Sequence, residues 1–145
     1  MKYSIFYEVN FLSHIKGFTN AAYKKKRREL LRKKTNIPFQ VIDWNNIPKE
    51  EHTGEAGTSF WQTLQYDDLR VRIVEYDAGY LADHWCRKGH IVHCIEGEVL
   101  NEQENGKVHL LKAGMTYIVS DNLSSHRSIA KGKVKLLIID GDFLK

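Results

Sequence analysis

From residue 36 onward the sequence predicts an all-β domain, a sandwich or barrel of about nine short strands. Three observations carry that expectation. Short apolar and β-branched runs recur along the chain, turn signals built on Gly, Asn, Asp or Pro separate them, and no helical apolar period appears past residue 36.

The elements follow in order. Pro38 to Trp44 is the first expected strand, closed by Asn45-Asn46 and Pro48, and residues 49–57 are expected as loop. Residues 58–66 and 69–76 are two long strands around an Asp67-Asp68 turn, and Asp77-Ala78-Gly79 turns the chain again. Gly97-Glu98 separates a strand ending near Glu96 from Val99 to Gln103. Glu104-Asn105-Gly106 predicts a type I′ hairpin, because Asn-Gly tolerates positive φ at both central positions. Lys107 to Leu111 pairs back, Lys112-Ala113-Gly114 turns, and Met115 to Val119 is expected as a buried strand. His126 opens a short strand after a polar loop. Val134 to Asp140, with Leu136-Leu137-Ile138-Ile139 inside it, reads as a fully buried core strand.

Length and composition set the bounds. A chain of 145 residues, 42% hydrophobic and 28% charged, suits one soluble globular domain with a core that needs no disulfide staple. No apolar run approaches the ~20 residues of a membrane helix. The first 20 residues are interrupted by Lys2, Glu8 and Lys16, and no small-residue cleavage pattern follows, so no signal peptide is expected. Cys86 and Cys94, the two cysteines, are expected reduced in a cytoplasmic setting.

The net charge of +4 divides unevenly. Residues 1–35 hold ten Lys/Arg against two Glu, whereas residues 36–145 hold twelve against sixteen Asp/Glu. The expected organisation is therefore a basic extension, residues 1–35, ahead of a single domain, residues 36–145. For the run KKKRRELLRKK three readings stand: a solvated or helical tail, a tail for nucleic acid or anionic membrane, or a mis-assigned start. In the third, purine-rich codons for Arg27-Arg28-Glu29 are a ribosome-binding site ahead of a start at Leu31. The solvated tail is favoured, and nucleic acid is an unlikely partner for the domain itself.

The chemistry concentrates in the stretch Asp83-His84-Trp85-Cys86-Arg87-Lys88-Gly89-His90. His84, Cys86 and His90 are all good transition-metal ligands. If the stretch is a hairpin turning at Lys88, alternation puts His84 and Cys86 on one face and sets Cys86 opposite His90. His93 then faces outward, and Cys94 packs in the core. Asp83 either orients a ligating imidazole or bonds nearby backbone. Cys86 is a ligand, a small core residue or a reactive thiol. Tyr66, Tyr76 and Tyr117, and Trp44, Trp61 and Trp85, are read first as packing residues.

The order of strands, glycines and histidines resembles the cupin superfamily. The positions of its first motif read His84, Cys86, His90 and Gly97, with Gly79 just ahead; those of its second read Gly106, Lys112-Ala113-Gly114 and His126. The Asp83-His84-Trp85-Cys86 run looks like the small bacterial family of DHCW-motif cupin fold proteins. The likeness covers roughly residues 37–145 and implies a small cupin-type jelly-roll barrel. It also implies a metal set of His84, Cys86, His90 and His126, with one thiol and three imidazoles where cupins usually offer three histidines and a glutamate. A thiolate favours a softer divalent transition metal, Zn or Cu, with Fe and Ni also admissible.

Two function classes remain. One is a metal-dependent enzyme acting on a small organic molecule held in the barrel. The other is a non-enzymatic small-molecule binding or sensing domain, with a structural metal or none. A homodimer is expected because residues 58–76 carry more apolar surface than a barrel interior needs.

Overall fold

The computed structural model describes Ala21, Lys24 and residues 36–145, so the extension expected at residues 1–35 otherwise lies outside the described residues. Nine strands follow: β1 Glu50–Thr53, β2 Thr58–Tyr66, β3 Leu69–Tyr76, β4 His90–Glu96, β5 Glu98–Gln103, β6 Val108–Lys112, β7 Thr116–Val119, β8 His126–Ile129 and β9 Val134–Asp140. They form a six-stranded sheet, ordered β1-β2-β3-β9-β4-β7, and a three-stranded sheet, β6-β5-β8. Every named strand pair is antiparallel. This is the two-sheet jelly roll expected from the sequence.

The core lies between the sheets. Val74 and Tyr76 of β3, Val92 and Cys94 of β4, and Val134, Leu136 and Ile138 of β9 meet Val99 of β5 and Leu111 of β6. Alternation explains the selection, since every second residue of β9 is buried, from Val134 to Asp140. Each fully buried aliphatic side chain contributes about 1.5–3 kcal/mol. Between β4 and β5 the chain turns at Gly97, whose φ is +77° and whose missing Cβ would lie 2.3 Å from the Lys133 carbonyl oxygen. No other residue fits that position without moving the backbone.

Several expected elements differ. Pro38 to Trp44 is not a strand: it runs unpaired into a 3-10 turn at Trp44–Asn46, capped by the Asp43 carboxylate. The strand lies instead in the expected loop, where Glu50–Thr53 pairs with β2 as an edge. Its polar side chains give no apolar signal, because an edge needs only backbone partners. Met115 to Val119 is not buried either. β7 is an edge, and Ile118 is 68% exposed. In β9, Leu137 and Ile139 are half-buried and only alternate residues are fully so. At Gln103–Lys107 only Gly106 has positive φ, so the loop is of the type I plus left-handed glycine kind rather than type I′.

None of the large apolar side chains of residues 58–76 is exposed: Ile73, Val74 and Tyr76 are buried and the others half-buried. Trp61 packs against the core cluster and carries the Arg72 guanidinium 4.6 Å above its ring. Gln62 donates to the carbonyl oxygens of Trp44 and Ile47, which ties residues 44–47 to β2. Among the described residues the most exposed large apolar side chains lie elsewhere, at Phe39, Val41, Ile118 and Leu123.

Candidate metal centre and ligand cavity

The hairpin expected around Lys88 does not form. Residues 83–89 are irregular, and β4 begins only at His90, paired with Val119 of β7 rather than with Cys86. Cys86 instead makes an isolated bridge to His126: its N–H donates to the His126 carbonyl at 2.7 Å, and the His126 N–H returns to the Cys86 carbonyl at 3.0 Å. The preceding loop is also fastened at its far side, where the Asp121 carboxylate accepts from the Gly89 N–H and from Lys88.

This bridge brings three side chains together by a route the sequence did not suggest. One ligand atom from each of Cys86, His90 and His126 lies within 4.8 Å of the others. Cys86 Sγ is 3.3 Å from His90 Nε2, and the rings of His90 and His126 meet edge to face at 5.6 Å. His90 and His126 are buried and Cys86 is half-buried. His84 does not join them. Its segment is not a strand, so alternation does not turn its side chain toward Cys86, and it stands in solvent with Nδ1 2.7 Å from Asp83. Asp83 therefore orients His84 and none of the three.

A hydrogen bond holds the His126 imidazole, and a carboxylate faces that of His90. Ser124 Oγ lies 2.8 Å from His126 Nδ1, while His126 Nε2 is buried with no partner. His90 Nδ1 is 3.3 Å from Asp140 Oδ2, within ion-pair distance but out of line for a hydrogen bond. Asp140 accepts two bonds from Arg70, at 2.9 and 2.8 Å, and one from the buried Arg72 at 2.9 Å.

Charge follows from these contacts. Burial opposes ionisation of Asp140, but His90, Arg70 and Arg72 outweigh it and hold the carboxyl well below its usual range. Burial lowers His90, but Asp140 and Cys86 more than reverse it, so the imidazole is raised overall. Burial pushes the Cys86 thiol up, and the hydrogen bond and charge of His90 bring it below its ordinary value. Burial, with the charge of His90 adding to it, lowers His126 to about 4. His126 is therefore neutral at pH 7, the state a metal ligand requires.

These residues fit a metal ion on their own evidence. A neutral buried imidazole with an unpartnered nitrogen, a second imidazole and a thiol of lowered pKa present ligand atoms within 4.8 Å of one another.

Beside His126 opens a cavity of about 430 Å3. Asn101 and Gln103 of β5, Leu111 of β6, and Tyr117 and Ile118 of β7 contribute to its wall. Those strands include the free edge of each sheet, so the cavity lies where the two sheets part. Sequence reasoning missed Arg72, Asp140 and Asn101. Two of them carried a readable signal, because charged Arg72 and Asp140 occupy apolar-strand positions that alternation turns inward.

No family model matches the chain, and no curated protein matches it. Solved structures do. A predicted oxalate decarboxylase from Thermotoga maritima superposes with a TM-score of 0.61 at 18% identity, over 70% of this chain and 99% of that one. Ectoine synthase from P. lautus gives 0.58 at 19%, over 71% and 78%. An RmlC-like cupin from Shewanella frigidimarina gives 0.56 at 18%, over 72% and 91%. At these identities the likeness is one of fold, and the fold is that of the cupins.

Proposed function

We propose that this cupin-fold chain is a metal-binding domain that holds a divalent transition ion on Cys86, His90 and His126 and a small molecule in the adjoining cavity. The observation that carries the reading is His126 Nε2, buried and unpartnered beside the other two ligand atoms. A buried polar atom without a partner costs about 1–3 kcal/mol, and a bound ion removes that cost.

Each protein group has a task. With Nδ1–H donated to Ser124, His126 keeps the Nε2 lone pair for the ion. Asp140, clamped by Arg70 and Arg72, lies 3.3 Å from His90 Nδ1, and His90 Nε2 lies on the Cys86 side of the ring. Cys86 supplies the one soft ligand and favours Zn or Cu over Mn, with Fe and Ni admissible. Cys86, His90 and His126 would hold the ion with three protein ligands, fewer than closed structural sites use, and such an ion would supply Lewis-acid chemistry to a bound substrate. This favours an enzyme over a purely structural site. Solved structures that share the fold include a synthase and a predicted decarboxylase, which supports the same reading.

The test is elemental analysis of protein purified without a histidine tag. Wild type carries about one ion per chain; Cys86→Ala and His126→Ala carry none, and His84→Ala carries as much as wild type. Metal content equal in all four proteins overturns the reading. Loss in His84→Ala as well restores the four-ligand set expected from the sequence.

The folded unit we assign is residues 36–145. Deleting residues 1–35 changes stability by less than about 0.5 kcal/mol, and an unfolded product refutes the assignment. We also assign a homodimer, supported by the exposed Phe39, Val41, Ile118 and Leu123 rather than by residues 58–76. A monomer by light scattering at about 50 μM counts against it. Two free cysteines support a cytoplasmic setting. No helix among the described residues is long and apolar enough to cross a membrane.

A further inference from the structure

Residues 37–42 have the composition of a strand and no strand to join. Ile37, Phe39, Val41 and Ile42 suit a pleated sheet, yet the stretch makes no main-chain hydrogen bond among the described residues. Phe39 is 97% exposed, and Val41 is nearly as bare. The stretch is anchored where it ends, since the carbonyls of Trp44 and Ile47 accept from Gln62 of β2.

The sheet edges differ in character. β1 carries Glu50, Glu51 and His52, the kind of charge that protects an edge from pairing. The side of β8 away from β5 is taken by the bridges from Leu81 and Cys86, and β6 ends on Lys112. β7 has no such protection. Residues 115–119, Met-Thr-Tyr-Ile-Val, hold no charge, and β7 has no strand on its outer side among the described residues. The same five residues line the cavity beside His126. The chain's own residues 37–42 cannot reach that edge. β3, β9 and β4 lie between β2 and β7, so the place beyond β7 is five strand spacings from β2, about 24 Å across the face of the sheet. Phe39 precedes Trp44 by five residues, which span at most about 18 Å.

We propose that residues 37–42 of a second copy add to β7 as a further strand, and that the exchange is reciprocal. This rests on the homodimer assigned above and adds its geometry. Phe39 and Val41 of one copy and Ile118 and Leu123 of the other become the two halves of one apolar contact. Pro38 sets which way the added strand faces. It has no N–H to give, so it points its main chain to the solvent side, and alternation turns the main-chain groups of Phe39 and Val41 toward β7. The side chains of Phe39 and Val41 share one face of the added strand. Because β7 forms part of the cavity wall, the strand laid beside it extends that wall, and the site is complete only in the dimer.

The experiment is sedimentation of the full-length chain, with hydrogen exchange as a second readout. Wild type is a dimer at about 50 μM. Phe39→Glu and Ile118→Glu each raise its dissociation constant at least about thirtyfold. Both side chains are exposed in the single chain, so neither change removes a buried contact. Hydrogen exchange on wild type alone reads the pairing itself. The Phe39 and Val41 amides are protected and that of Gln40 is not. A wild-type monomer overturns the homodimer and this inference together. A dimer that survives Phe39→Glu, or one whose Phe39 amide exchanges as fast as that of Gln40, sinks the strand exchange and leaves the homodimer standing. A dimer that falls to Phe39→Glu but survives Ile118→Glu overturns the choice of β7.

Discussion

The same strands build both ends of this barrel, and they build them differently. At one end β3 finishes with Tyr76, β9 begins with Val134, β4 passes through Cys94, and Tyr80 stacks on Tyr76 at 4.3 Å. At the other, β3 carries Arg70 and Arg72 in its first half, β9 finishes with Asp140, and β4 and β8 both open with a histidine. The two cysteines follow the division. Cys94 is wholly buried, and burial raises its pKa, whereas Cys86 is half-buried and lowered by His90. Residue type alone does not separate these two cysteines; the end of the barrel at which each sits does. The first end is closed by packing. The second spends its buried positions on charge that is paired and on polar atoms that are not.

That contrast can be broken from either end. The largest effect is expected from Asp140→Ala, which leaves the buried Arg72 without its carboxylate and costs about 3–5 kcal/mol in urea denaturation. A loss below about 1 kcal/mol means that the arginine clamp is no more than a surface ion pair. Leu136→Ala, at the packed end, opens a cavity and costs about 2–5 kcal/mol, while metal content stays that of wild type. If the metal is lost as well, the two ends are not independent.

Metal removal acts on the other end alone. At a free zinc concentration a hundredfold above Kd, the ion stabilises wild type by about 2.7 kcal/mol, and Cys86→Ala shows no such gain. Alkylation sharpens the cysteine comparison without an energy scale. In chelator-treated protein iodoacetamide labels Cys86, and Cys94 is labelled only in denaturant. Labelling of both at one rate erases the distinction.

The smallest effect belongs to Glu75, which contacts Lys49 and Lys135 at the surface. Lysine hydrogen bonds, partly opposed by burial, lower its carboxyl below the ordinary value. A carboxyl lowered in the folded state contributes stability above its unfolded pKa, and that contribution fades as pH falls through the folded one. Glu75→Gln therefore costs at most about 1 kcal/mol at pH 7, and the gap from wild type closes as the pH drops below about 4. A gap that widens on acidification reverses the sign of this argument.

Much of the barrel is legible in the sequence because alternation is local. Residues 58–66 and 69–76 fall where their apolar pattern and the Asp67-Asp68 turn put them. β1 was illegible because Glu50 to Thr53 has nothing to bury, and Pro38 to Trp44 was overread because a strand-like pattern says nothing about a partner. At the site, residue type and spacing put Cys86 and His90 forward, the cupin resemblance added His126, and the fold brings them together. The route was hidden, since a bridge between residues forty apart leaves no periodic trace. His84 was drawn in by the assumption of a regular strand. Asn101 announced nothing: one asparagine among many becomes distinctive only when its burial is known.

The bridge between Cys86 and His126 is made wholly of main-chain atoms. Its strength does not depend on which side chains the two residues carry. A point mutation at either position exchanges a donor atom in the candidate site while both backbone hydrogen bonds remain. Lineages of this chain are thus free to try thiol, imidazole or carboxylate at these two sites one step at a time. The barrel can acquire a new ion preference by single substitutions, with no intermediate that must first lose its shape.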